Sequence, residues 1–288
     1  MQVENAYDII VVGAGPGGSS IAAILAQKGY HILIDKKQQA GGRMMTVRKD
    51  GFQYEMFPIN GVPSRNSHFE KLLKLVGMES EVEIILPKSP GIMIYEDEKG
   101  IVREFDMGTS SINLLRALGI RLWYLPDIID TIKVLKLMAT IPADKIEELQ
   151  DTSARDLLAK FPMPKGLLTY LLVSFGEGAF ESTSDRTSAA EMIKVFQSAM
   201  KNGGGRYYKN GIGFVFEKLV EAVVELGGDA IFNTRVEKIL VDNNQVTGIA
   251  TVDGQEFHAP VVISNAGLRQ TVLKLVGEEY FTLITSNG

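Results

Sequence analysis

The sequence predicts an α/β fold: a parallel sheet with a β-meander, interrupted by a second, α+β region. Three observations predict it. A short β-branched run near the N-terminus leads straight into a glycine-rich turn and an apolar helix. A block after residue 206 alternates strands with short turn signals and closes on another β-branched run. Between the two lies a stretch whose apolar residues fall largely at helical spacing. The 288 residues therefore divide into expected segments 1–80, 81–205 and 206–288, the outer two forming one domain and the middle one another.

Tyr7 to Val12 is a mostly β-branched run and is expected to form a buried strand. Gly13-Ala14-Gly15-Pro16-Gly17-Gly18 follows, with Gly13, Gly15 and Gly18 in the pattern G-x-G-x-x-G. Ser19 to Lys28 has a helical composition that Gly29 can end, and a second strand, Tyr30 to Ile34, closes on Asp35. Each part has a physical task. Gly13 permits a tight turn, Gly15 lets backbone approach a pyrophosphate, and Gly18 lets helix and strand pack closely. The helix N-terminus offers free N–H groups to phosphate, and Pro16 suits its first turn because no N–H partner is lost there. Asp35 stands 22 residues beyond Gly13, where an acid accepts from a ribose hydroxyl. Strand, glycines, helix, strand and acid in this order predict a dinucleotide site.

Gly41-Gly42-Arg43-Met44-Met45-Thr46 begins six residues after Asp35 and resembles the G-G-R-x-x-T extension of the amine oxidase superfamily of flavoproteins. Within it the chain looks most similar to the phytoene desaturase, carotenoid isomerase and retinol saturase-like family. The resemblance implies FAD as cofactor and a Rossmann-like FAD-binding fold. It implies cofactor-binding positions at Gly13, Gly15, Pro16, Gly17, Gly18, Asp35, Lys36, Gly41, Gly42 and Arg43, with Thr46 closing the turn. Asp35 departs from the family, most of which carries Glu there. Gly51 to Pro58 resembles the segment that passes the flavin, more loosely, because Glu55-Met56-Phe57 replaces its usual acid and glycine.

The last block extends the resemblance. Lys209-Asn210-Gly211-Ile212-Gly213 precedes an apolar helix, Phe214 to Leu226, that Gly227-Gly228 ends; in the family this glycine turn lies near flavin and substrate. Ala230 to Ile239 looks like the family's adenine-side strand, which implies that Val236 meets the adenine through its backbone. Asn243-Asn244 and Asp253-Gly254 are hairpin signals between alternating strands. Val261 to Ala266 resembles a strand returning parallel to the first, bringing Asn265 and Ala266 to the cofactor.

In the middle, Ile92–Tyr95 and Val102–Phe105 flank a polar turn and predict a hairpin. Ile112 to Ile141, broken at Pro126, predicts two amphipathic helices, and Leu167 to Phe175 a further one before Gly176-Glu177-Gly178. Ordinary core packing is one reading of these helices; the other, which the family resemblance implies, is a partial substrate domain lining an apolar substrate, with Lys133 and Lys136 leaving room for peripheral contact with a membrane surface.

Composition narrows the functions. Hydrophobic residues at 45 % and charged residues at 23 % are ordinary for a globular chain, which argues against disorder. A net charge of −5 without a basic run disfavours nucleic acid. The chain has no cysteine, so disulfides and thiolate metal sites are excluded. His31, His68 and His258 lack metal-ligand spacing, and no metal is expected. With no signal segment and no long apolar run, a cytoplasmic or membrane-surface location is expected. Ser19-Ser20 are expected to face phosphate or pack in the helix.

The expected activity is an FAD-dependent oxidoreductase, desaturase or saturase in type. It moves hydride between flavin and a C–C bond of a large apolar, isoprenoid- or polyene-like substrate. An amine oxidase-type enzyme and a non-catalytic escort protein on the same fold stay open. No catalytic base stands out; Arg43, Glu55 and Asn60 are the polar candidates. The family's C-terminal glycine-rich segment has no counterpart before Gly288, so a fragment, or completion by a second chain, is expected.

Overall fold

The structure, a computed structural model, describes residues 6–30, 33–34, 38–57, 67–85, 92–96, 99–106, 128–163, 165–180, 182–202 and 206–281. In chain order the strands are β1 (Ile9–Val12), β2 (Leu33–Ile34), β3 (Thr46–Lys49), β4 (Phe52–Glu55), β5 (Ile84–Ile85), β6 (Ile92–Glu96), β7 (Val102–Asp106), β8 (Tyr207–Tyr208), β9 (Ala230–Ile231), β10 (Val236–Asp242), β11 (Gln245–Thr251), β12 (Glu256–His258) and β13 (Val261–Ser264). The longer helices are α1 (Pro16–Ala26), α2 (His68–Leu75), α3 (Ile128–Thr140), α4 (Ala143–Glu147), α5 (Ala154–Leu158), α6 (Lys165–Leu171), α7 (Ala189–Asn202) and α8 (Gly213–Glu225). They form two compact units, one of residues 1–59, 67–84 and 208–288, the other of 60–66 and 85–207.

The first unit is built on a four-stranded sheet in the order β13-β1-β2-β9, every neighbouring pair parallel. β1 is buried on both faces, as a β-branched strand inside a covered parallel sheet must be. Val11 packs with Ala22, Ala23 and Ala26 of α1 and with Val215, Phe216 and Leu219 of α8. Ile10 and Val12, on the opposite face, pack with Val236, Ile239, Ile249 and Phe257 of the meander. Alternation along four residues thus separates a helical layer from a β layer. Fully burying one side chain such as Phe216 or Leu219 contributes about 1.5–3 kcal/mol, so the sheet is held mainly by these two contact faces.

Turn chemistry sets the boundaries. Pro16 occupies the first turn of α1, as expected, and Ser19 and Ser20 turn their hydroxyls back onto the Gly15 and Pro16 carbonyls at 2.9 and 2.6 Å. They pack in the helix. α2 starts at Ser67, whose hydroxyl accepts from the Glu70 N–H at 3.1 Å, one arm of a capping box. α8 ends at Leu226: the Gly228 N–H donates to Val223 O and the Gly227 N–H to Val224 O, with Gly227 at φ +91°. This is the Schellman arrangement, and it needs a residue that tolerates the left-handed region.

The three-stranded meander β10-β11-β12 is antiparallel throughout. Its first hairpin turns at Asn243-Asn244, both at positive φ, and its second passes through Asp253-Gly254. A third hairpin joins β3 to β4 through Asp50-Gly51, both at positive φ, the same two-residue signal. The run Ala230–Ile239, which the sequence presents as one strand, is divided. β9 belongs to the parallel sheet and β10 to the meander, with Asn233 at φ +58° in the crossing between them.

The second unit is largely helical, with the β6–β7 hairpin in the place the sequence gives it. Its core gathers Val134 and Met138 of α3, Leu157 and Leu158 of α5, Leu167 and Leu171 of α6, and Met192, Ile193 and Phe196 of α7. The α7 residues follow helical spacing. Gln197 caps the end of α3 by donating to the Met138 and Ile141 carbonyls, both at 3.0 Å. α6 runs on through a π-helical turn, Leu172–Glu177, so the glycines beyond Phe175 do not end the helix there. A Cβ on Gly176 would make only ordinary contacts, 3.8 Å to Ala154 and 3.9 Å to Met192, so packing does not demand glycine there. Of the expected pair of helices across 112–141, α3 is the part within the described residues; Lys133 and Lys136 lie exposed on it. No described helix is long and apolar enough to cross a membrane.

Candidate functional site

A cleft of about 440 Å³ opens at the carboxyl ends of β1 and β13. In the sheet order β13-β1-β2-β9, chain connections leave β1 toward β2 on one side while β13 lies on the other. Open α/β sheets bind ligands at such a reversal, where the loops part.

The glycines of the first turn differ in what they do. Gly13 takes φ +100°, which an L side chain rarely adopts. A Cβ on Gly18 would stand 1.7 Å from Gly13 O, so this position is closed by helix–strand packing. At Gly15 an added Cβ meets nothing nearer than 3.6 Å. The protein itself has room for a side chain there; what a side chain would occupy is the cleft.

The second glycine turn lies against the first. The Gly41 N–H donates to Ala14 O at 2.8 Å. A Cβ on Gly42 would come within 2.9 Å of Gly15 Cα, so the two backbones approach this closely because residue 42 is glycine. β13 completes the cradle. The Asn265 N–H donates to Val12 O at 2.9 Å, and a Cβ on Gly17 would sit 2.7 Å from Asn265 Nδ2.

Gly13, Gly15, Pro16, Gly42, Arg43, Val236, Asn265 and Ala266, all sequence-derived candidates, line the cleft. Gly17, Gly18 and Gly41 support it from behind through the contacts just given. Asp35, Lys36 and Asn60 lie outside the described residues. Thr234, Arg235, Gln270, Lys274 and Leu275 also line the cleft. Sequence reasoning missed these five. Thr234 and Arg235 were inside the recognised block but assigned to a strand, and the helical stretch after Ala266 carries no motif.

Glu55 and Thr46 have partners that sequence could not supply. Thr46 Oγ1 donates to Glu55 Oε2 at 2.7 Å and accepts from the Gly213 N–H at 2.8 Å. Glu55 Oε1 accepts from the Ile212 N–H at 2.9 Å. Two N–H groups at the start of α8, which lack intrahelical partners, are thereby satisfied by side chains that flank the Gly-Gly-Arg turn. Thr46 is fully buried, and a Cβ on Gly211 or Gly213 would collide with it at 2.3 or 2.4 Å. Glu55 is thus engaged in holding α8 to β3 and β4. Thr46 does more than close its own turn.

The electrostatics of the cleft are one-sided. Arg43, Arg235 and Lys274 line it, and none makes an ion pair or side-chain hydrogen bond among the described residues, which contribute no carboxylate to the lining. Glycine backbone, the start of α1 and cationic side chains form a set suited to a phosphorylated ligand. The cradle that a Cβ at Gly15 would fill fits a dinucleotide's diphosphate.

Comparison with known proteins shows what the chain as a whole is similar to. Phytoene desaturase (neurosporene-forming) of Rhodobacter capsulatus is 26 % identical over 300 residues, covering 93 % of this chain and 54 % of that protein. An inactive all-trans-retinol 13,14-reductase of Danio rerio is 26 % identical over 321 residues, covering 96 % and 51 %. The chain spans about half the length of the curated relatives it matches. The crystal structure of an oxidoreductase from Methanosarcina mazei superposes with a TM-score of 0.73 at 20 % identity, over 96 % of this chain and 62 % of that one. The family model for flavin containing amine oxidoreductases matches residues 18–278, most of the chain, including the cleft residues from Gly42 onward. With FAD as its cofactor, the chain belongs to the flavin containing amine oxidoreductase family.

Proposed function

We propose that the chain forms the FAD-holding part of an oxidoreductase that moves hydride between flavin and a C–C bond of a large apolar, polyene-like substrate. The observation that carries the reading is the cleft at the β1/β13 ends, glycine-floored and lined by cations with no described acid. Phytoene desaturase among the relatives supports the substrate class.

In this reading the turn from Gly13 to Gly18, with Pro16 in the first turn of α1, receives the diphosphate on backbone N–H groups. Gly41, Gly42 and Arg43 close over it, the guanidinium being able to fork onto phosphate oxygens. Asp35 and Lys36 are assigned to the ribose side, Val236 to the adenine through its backbone, and Asn265 and Ala266 to the rim at the end of β13. When bound, flavin supplies the hydride chemistry. The chain's residues bind and orient it and exclude water. Glu55, already hydrogen-bonded to Thr46 and Ile212, acts in this scheme by fixing the turn next to Arg43.

The test is the visible absorption spectrum of the purified chain after incubation with FAD and removal of excess. A retained flavin spectrum, with FAD released on denaturation, is expected; a Gly13→Ala/Gly15→Ala double variant should emerge colourless. Retention by the double variant, or a colourless parent, would overturn the reading. Anaerobic loss of flavin colour with phytoene but not with putrescine separates the polyene reading from an amine oxidase.

A further inference from the structure

We infer that Lys274 and Arg235 are phosphate-binding residues of the cleft, holding the dinucleotide's diphosphate in addition to the glycine turns and Arg43; this rests on the FAD reading above. Both side chains line the cleft, and both project from backbone that is firmly held. Arg235 directly precedes Val236, which is buried, and its carbonyl accepts from the Val252 N–H at 2.9 Å. Lys274 lies in the helical stretch Thr271–Val276. Next to it, Leu275 is buried with Val236 and Ile239 in the core behind the sheet. At the start of the same stretch, Thr271 and Ser264 share a hydroxyl–hydroxyl hydrogen bond of 2.7 Å. The anchor residues fix the backbone and leave the two charges directed at the cleft.

Some cations of this unit are held by carboxylates. Arg48 pairs with Glu217 at 3.0 Å, Lys209 with Glu83 at 2.7 Å, and Lys218 with Glu81 and Glu221 at 3.3 and 2.6 Å. Arg235 and Lys274, like exposed lysines such as Lys49 and Lys238, have no ion-pair partner among the described residues; what sets them apart is that they stand with Arg43 around one cleft whose described lining has no carboxylate. Like charges gathered at a concave surface repel one another and raise the local potential. A multiply charged anion removes that repulsion. A diphosphate has both the charge and the oxygen atoms to meet a planar guanidinium and an ammonium together.

The experiment measures affinity, with no need of turnover. FAD, ADP and adenosine are titrated into the parent chain, Lys274→Ala, Arg235→Ala, Lys274→Arg and Lys238→Ala, at low and high salt. Thermal melting is recorded on each to show that it is folded. Lys238 is an exposed lysine of β10 that does not line the cleft. Lys274→Ala and Arg235→Ala should each weaken FAD and ADP about tenfold and flatten the salt dependence. Adenosine should bind as to the parent, Lys274→Arg should recover most of the loss, and Lys238→Ala should change nothing. A parent that binds FAD while both alanine variants bind it within about twofold, with the parental salt dependence, overturns the inference and leaves the FAD reading standing. Parallel loss of adenosine overturns it too, since the cleft rather than a phosphate contact has then been damaged. A parent that binds no FAD overturns the reading itself, and the inference with it.

Discussion

At the scale of single residues, one amino acid meets three different demands within six positions. Gly13 is needed for its backbone angle, Gly18 for contact between helix and strand, and Gly15 for space that the protein leaves open. These demands were legible because the spacing encodes them. Gly18→Ala should therefore be the most damaging of the three to the fold. A Cβ 1.7 Å from a carbonyl oxygen forces α1 off the sheet, and a loss of about 3 kcal/mol is expected in denaturant melts. Gly15→Ala should leave the melt nearly unchanged and abolish flavin retention. Thr46 and Glu55 were not legible in this way, because their partners at 212 and 213 lie more than 150 residues further along. Thr46→Val leaves the buried Gly213 N–H without an acceptor and should cost about 1–3 kcal/mol. Thr46→Ser, which keeps the hydroxyl, should recover most of it.

At the scale of elements, turn residues carried more information than strand composition. Asn243-Asn244 and Asp253-Gly254 fall where two antiparallel pairs turn. Asp50-Gly51 has the same chemistry and was readable as a hairpin, but the segment after it was taken up by a looser family likeness. Strand composition failed at Ala230–Ile239. Its β-branched residues suit either sheet, and nothing local marks the point at which the chain leaves one for the other. Two predictions belong here. Asn244 sits at φ +61°, so Asn244→Gly should stabilise the hairpin by roughly 0.5 kcal/mol, readable as a small rise in Tm. In the next hairpin, the hydrogen bond from the Thr251 side chain holds the Asp253 carboxyl below its usual range. A depressed folded value means stability that is present above the unfolded value of 3.8 and is lost as pH falls through the folded one. Asp253→Asn should accordingly be less stable than the parent at neutral pH, and the difference should close as acid is added below pH 3.8.

On the scale of the whole molecule, each unit has its own buried core, and the cleft belongs to one of them. A ligand stabilises only the structure that binds it. FAD at a hundred times its Kd should add about 2.7 kcal/mol to the unit built on the parallel sheet. Calorimetry should then show one transition moving upward and the other staying in place; a uniform shift would mean that the two unfold as one. The first two strands of the parallel sheet and the glycine turns were readable from the first forty-six residues, and β13 from its likeness to a returning parallel strand. The middle of the chain was readable only as helical and apolar, since periodicity reports which face is buried and says little about what covers it.

The pairing of β1 with β13 has a consequence for how the protein comes into being. Ile9 lies opposite Val261, so β1 waits for a partner strand made about 250 residues after it. At about 5–20 residues per second, that interval is roughly 13–50 s. Throughout it, a strand buried on both faces in the finished protein stands next to the exit tunnel with one edge unclaimed. The inserted segment 85–207 is complete long before, and its helices, rich in local contacts, can settle while the sheet is still open. Nascent chains stopped short of residue 261 should accordingly carry a folded insert, an unprotected first strand and a need for chaperones, and no flavin.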